Sequence, residues 1–167
     1  MAIIENASAS TGEDAAAIAE LDRTVELQRA AFRADPFPSL PERLELLGAL
    51  AGMLMSNRSE IEQAMSSDFG VHPRLAADLI EVLGPAGRAM YVAENLESWM
   101  APEPRHSDPA LFGSGRAYVA PQPKGVIGTI VPWNFPFDLS VGPLVEMLAA
   151  GNRVVIKPSE YTPACGE

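Results

Sequence analysis

The stretch PKGVIGTIVPWNFPFDLSVGPLVEMLAAGNRVVIKPSE, from Pro123 to Glu160, restricts the possible folds more than any other part of the chain. An apolar run, GVIGTIV (125–131), enters a proline-bounded turn, PWNFP (132–136). A helical pattern then runs from about Asp138 to Ala150 and stops at Gly151-Asn152, and a second apolar run, RVVIK (153–157), opens into PSEYTP. Strand, turn, helix, strand is a βαβ unit, which requires two parallel strands. The strands are apolar on successive residues rather than alternating ones, so cover is expected on both faces. In open parallel sheets ligands bind past the carboxyl ends of the strands. Those ends carry Trp133-Asn134 and Lys157 to Glu160, so a cofactor is expected there.

The segment before it reads as helical. Ile18, Leu21, Val25 and Phe32 share a stripe over a helix from Asp14 to about Ala34, and residues 1–13 read as a polar tail. PFPSLP (36–41) interrupts, and Pro41 suits the first turn of a helix with Leu44, Leu47, Ala51 and Leu54 inward. Ser59 and Glu62 have capping-box spacing for a third helix, with Ile61 and Met65 buried and Gly70 as its stop. A helix from Pro73 should place Leu75, Leu79 and Val82 on one side, and Gly84-Pro85 should break or kink it. Helical spacing resumes through Ala89, Val92, Leu96 and Trp99, until Pro102 and Pro104. Residues 105–123 are rich in Gly and Pro and read as an extended hairpin arm. The expected organisation is therefore a tail (1–13), a helical layer (14–104), an arm (105–123) and the start of an α/β domain (124–167). Two parallel strands do not make a stable sheet alone, so the sequence is expected to be one part of a longer protein.

Composition excludes some partners. A net charge of −10 argues against nucleic acid and anionic membrane. The single cysteine, Cys165, permits no internal disulfide, and no basic, apolar leader opens the chain; a cytoplasmic location is expected. His72 and His106 stand far apart, without the spacing of a metal site, and read as surface residues. The usual dinucleotide fingerprint is missing: Gly125 and Gly128 fall within a strand, and Gly113-Ser114-Gly115 lacks its third glycine.

PWNFP, AAGN (149–152) and VVIKPSEYTP (154–163) together resemble the aldehyde dehydrogenase superfamily, and looser similarity extends back through WMAPE (99–103) to the N-terminal helices. The short arm is similar to the branch holding class 3, fatty-aldehyde and coniferyl-aldehyde dehydrogenases. The resemblance implies an α/β fold: a partial Rossmann-like parallel sheet, preceded by a helical layer and an arm that pairs subunits into a homodimer. It implies oxidation of an aldehyde, coniferyl aldehyde being one candidate, to a carboxylic acid through a cysteine thiohemiacetal. Asn134 matches the asparagine whose amide helps form the oxyanion hole; a neutral donor of fixed direction suits an oxygen that gains charge as a thiolate attacks. Without the resemblance, Asn134 reads as an Asx turn before a helix.

Lys157 and Glu160, with Ser159 between them, match the group that holds the adenosine ribose, and Ile130, Val131, Pro132 and Trp133 match residues lining the cofactor cleft. A carboxylate can accept from both ribose hydroxyls and would repel a 2′-phosphate, which favours NAD and leaves NADP as the alternative. By themselves Lys157 and Glu160 would be solvated charges at a strand end. Cys165 lies beside this group and matches no nucleophile motif; it is expected to pack, not to react. The family's nucleophile and general base come later in its sequences, so this polypeptide alone is expected to show no turnover. A second reading keeps the helices and arm as a non-catalytic assembly module.

Overall fold

The computed structural model describes residues 12–167; the expectation for the tail lies, but for its last two residues, outside them. Helix α1 (Gly12–Ala34) is followed by α2 (Leu40–Ser56), α3 (Arg58–Phe69) and α4 (Arg74–Ala77). A π-helical segment (Asp78–Leu83) runs directly into α5 (Gly84–Met100). The hairpin strands β1 (Glu103–Arg105) and β2 (Ala117–Val119) flank the single turn α6 (Pro109–Phe112) and pair antiparallel. Then come β3 (Val126–Ile130), α7 (Asp138–Ala149), β4 (Arg153–Lys157) and the short α8 (Pro163–Gly166).

Strands β3 and β4 are parallel, with Val126 opposite Arg153 and Ile130 opposite Lys157. The ladder is extended at each end, where Arg153 N donates to Gly125 O (2.9 Å) and Val131 N to Lys157 O (3.0 Å). Helix α1 packs on β3 and β4, and α7 packs on β4. The cover is partial: no residue of either strand is fully buried.

The core lies mainly between α2, α3, α5 and α7. Leu47, Leu54, Met65, Val82 and Val145 are sealed within it, joined by Ala89, Val92 and Leu96. Each side chain of that size contributes about 1.5–3 kcal/mol by leaving water. Several sequence expectations are corrected here. On α2 the inward stripe is Leu47, Leu50 and Leu54, with Leu44 and Ala51 only half-buried. The capping box belongs to Ser39 and Glu42, where Ser39 N donates to Glu42 Oε2 at 2.7 Å. Asn57 precedes α3 without any side-chain cap, and Glu62 lies near Arg58 and Arg74 instead.

Leu75, Leu79 and Trp99 are exposed, whereas Ala77, Asp78, Glu81 and Val82 point inward. For Leu75 and Leu79 the cause is the wide turn at residues 78–83. A π segment spaces its hydrogen bonds by five residues, so a stripe counted at 3.6 slips round the helix. That turn also lets the chain pass Gly84-Pro85 without a break, since Leu83 and Gly84 keep right-handed helical dihedrals.

Charged side chains of the helical layer hold both ends of α7. At its carboxyl end buried Arg43 donates to Ala149 O (2.9 Å) and Pro38 O (2.8 Å). At its amino end Glu81, 1% exposed, accepts from both Phe137 N and Asp138 N at 2.9 Å through the single oxygen Oε2. Each charge has the sign that the nearby helix terminus favours. Beyond Arg43 the helix stops as expected. Gly151 takes φ +84°, its N–H reaches Leu148 O, and Asn152 N reaches Met147 O, a Schellman ending. Asn152 also ties this corner to β3, its Oδ1 accepting from Lys124 N (2.6 Å) and Gly125 N (3.0 Å).

Candidate functional site

The parallel register brings two loops to one edge of the sheet. Residues 131–137 leave β3 and residues 158–162 leave β4, beside the paired ends Ile130 and Lys157. Between the loops lies a cleft of about 290 Å³, bordered by Val131, Pro136, Ile156, Pro158, Ser159 and Thr162. The Thr162 hydroxyl is buried and has no hydrogen-bond partner among the described residues.

Asn134 sits at the exposed crest of the first loop. The loop is fixed on both sides of it: Val131 N is bonded to Lys157 O, and Phe135 O accepts from Leu139 N at 2.9 Å. Ser140 Oγ donates to Pro136 O (2.6 Å). Trp133 is 53% exposed and leans on Phe69 at the end of α3, with ring centroids 6.5 Å apart. Pro132 is exposed and Val131 buried beneath it. Ile130 presents a side chain that is 83% exposed, next to its register partner Lys157.

On the second loop Lys157 Nζ donates to Glu160 Oε2 at 2.5 Å, with both side chains more than half exposed. The Lys157 hydrogen bond holds the Glu160 carboxyl below its ordinary pKa, so it is ionised at neutral pH. Ser159 is buried, and its Oγ accepts from Tyr161 N (3.2 Å), which shapes the turn.

Cys165 lies in the first turn of α8, its Sγ 3.7 Å from Met65 Sδ. Burial, reinforced by Asp68 and Glu81, raises its thiol pKa far above the ordinary value. A thiol so disfavoured as thiolate is a poor nucleophile. Asp68 caps that same turn, accepting from Ala164 N (3.1 Å) and Cys165 N (2.9 Å); the side chain of Thr162, the residue before the helix, makes no cap bond. Asp138 likewise makes no side-chain cap for α7, because Glu81 takes the amides. His72 is half-buried against Phe69 at 5.7 Å between centroids, which corrects its reading as a surface residue; His106 is exposed.

The sequence model of the "Aldehyde dehydrogenase family" matches residues 5–167. The chain belongs to this family. Among curated relatives, a protein of Caulobacter vibrioides named "Probable coniferyl aldehyde dehydrogenase" is 40% identical over 151 residues, covering 89% of this chain and 31% of the relative. Among solved structures, Staphylococcus aureus AldH in its substrate-bound state superposes with a TM-score of 0.80 at 26% identity, over 87% of this chain and 31% of that one. PnpE in complex with nicotinamide adenine dinucleotide gives a TM-score of 0.75 at 32% identity, over 88% and 29%. The chain thus spans about a third of the length of the relatives it matches. The α/β fold of this aldehyde dehydrogenase family member is shared with those structures.

Sequence reasoning missed Arg43, Asp68 and Glu81. Arg43 and Glu81 stand among leucines, isoleucines and valines, so a charge inside an apolar stripe was the available signal. Asp68 carries no such mark.

Proposed function

We propose that the chain is the amino-terminal, cofactor-facing part of an NAD(P)-dependent aldehyde dehydrogenase, with coniferyl aldehyde the first substrate to assay. The observation that carries this is the parallel register, which puts the Asn134 turn and the Lys157–Glu160 pair on one sheet edge. The donor set suits an adenosine ribose. An ionised carboxylate accepts from two hydroxyls, an ammonium donates to one, and Ile130 offers exposed apolar surface beside them. Ser159 shapes the loop that carries the pair, and Val131, Pro132 and Trp133 on the neighbouring loop would line the cofactor cleft. When bound, NAD supplies the hydride acceptor. The carboxylate at 160 favours NAD over NADP.

Asn134 is the catalytic residue of this segment. Its amide N–H would donate to the substrate oxygen as charge gathers on it, and the anchored turn fixes its direction beforehand. Cys165 is no candidate for the attacking thiol, being half-buried, protonated and turned toward Met65; the thiol and the general base would come from residues other than these. The 167 residues by themselves are therefore expected to produce no NADH. The name of the Caulobacter relative supports coniferyl aldehyde as the substrate.

The hairpin favours one further role. Tyr118 and Val119 on β2 are exposed, as is every residue of both short strands, which leaves them free to pair with a second copy in a homodimer. Calorimetric titration with NAD tests the cofactor reading: heat of binding that disappears in Glu160→Ala supports it, and binding unaffected by that change refutes it. In a polypeptide of the relatives' length, Asn134→Ala is expected to lower kcat on the order of 100- to 1000-fold.

A further inference from the structure

We infer that Glu81 is the positioning residue for the Asn134 turn: from outside the βαβ unit, its carboxylate sets where the donor-bearing loop ends and α7 begins. The inference rests on the reading of Asn134 above. Among the described residues, Glu81 is the one side chain beyond that unit hydrogen-bonded to residues 131–138, and it takes two consecutive amides. Two residues separate Asn134 from Phe137, and one of them is the rigid Pro136. Another hold on the loop from outside the βαβ unit is the packing of Trp133 on Phe69. A ring contact tolerates sliding, whereas two N–H donors converging on one oxygen fix both distance and direction. Glu81 can do this because the π segment turns it inward and because its burial excludes water from the amides.

The titratable groups that bear on Glu81 are Asp138 on α7, His72 from the loop before α4, and Cys165 on α8. Burial raises the carboxyl pKa above its ordinary value of 4.5, the two amide hydrogen bonds opposing this in part. Since one oxygen accepts both amides, a neutral acceptor of the same length should hold the loop as well as the carboxylate does. A side chain without an acceptor should not.

Nuclear magnetic resonance of the 15N-labelled chain tests this without cofactor or aldehyde, so its outcome is independent of whether NAD binds. In Glu81→Leu, the Phe137 and Asp138 amides should exchange at least 10-fold faster, and the Asn134 side-chain NH2 and Trp133 indole signals should move. Glu81→Gln should restore all four. Should Glu81→Leu fail to fold, titration of the unaltered chain decides: Phe137 N–H, Asp138 N–H and Asn134 NH2 should follow one midpoint above 4.5, absent in Glu81→Gln. Unmoved Asn134 and Trp133 signals in a folded Glu81→Leu would overturn the inference, as would an Asn134 NH2 that ignores the shared midpoint.

Discussion

The two ends of α7 are held by the same device and behave differently. At the carboxyl end a guanidinium, charged throughout the ordinary pH range, bonds the buried Ala149 carbonyl and the half-buried Pro38 carbonyl. At the amino end a carboxyl group with a raised pKa bonds two amides below an exposed loop. Burial lowers the Arg43 pKa, yet a guanidinium stays protonated. The scaffold end of the helix is thus indifferent to pH, and the end that carries Asn134 is not. Where the chain needs only stability it uses a fixed charge; below the turn proposed to present chemistry it uses a group whose charge can change.

The comparison breaks first at Arg43. Arg43→Met leaves the buried Ala149 carbonyl and the half-buried Pro38 carbonyl without this donor and should cost about 3 kcal/mol in urea unfolding, by an amount constant between pH 5 and 8. A cost that varies with pH would contradict the fixed-charge account. Next, Glu81→Leu should cost about 2 kcal/mol for its two unpaired amides, and Glu81→Gln less than about 1 kcal/mol, since an acceptor remains. The sign of the pH effect follows from the raised pKa. What Glu81 contributes is fully present below pH 4.5 and declines as pH rises through the higher folded value. Relative to Glu81→Gln, the unaltered chain should therefore lose stability over that range.

Asp68 at the start of α8 sharpens the contrast. Burial would raise its pKa, but the Cys165 and Ala164 donors outweigh it and the net shift is downward. Its contribution is present above its ordinary value of 3.8 and is lost as pH falls through the lower folded value, opposite to Glu81. Asp68→Ala should cost about 1 kcal/mol at pH 7, as loss of a helix cap does, and progressively less as pH falls below 3.8. The smallest effect on stability belongs to the exposed pair. Glu160→Ala should leave the unfolding midpoint unmoved, because solvent screens such pairs, while removing affinity for NAD.

Much of the architecture could be read from sequence because local signals carry it. Apolar runs of strand length marked β3 and β4, Gly151-Asn152 marked the end of α7, and the Gly- and Pro-rich stretch marked the hairpin. What could not be read depends on contacts made at long range. Nothing local to residues 78–83 announces a π turn, so Leu75 and Leu79 were placed inside and Glu81 was passed over. The caps failed for a related reason. Ser59 has a fitting type and spacing, yet Asn57 precedes α3 uncapped, and Glu81 and Asp68 cap α7 and α8 from afar. Tertiary partners displaced the local ones.

The shared edge is tested most directly by mapping where NAD perturbs the amide and side-chain signals of the chain at near-saturating concentration. The account predicts shifts gathered at Ile130, Trp133 and residues 157–160, and none at a second cleft of about 220 Å³ lined by Arg43, Leu96, Trp99 and Glu146. Shifts centred on that second cleft, or none near Lys157 and Glu160, would contradict it.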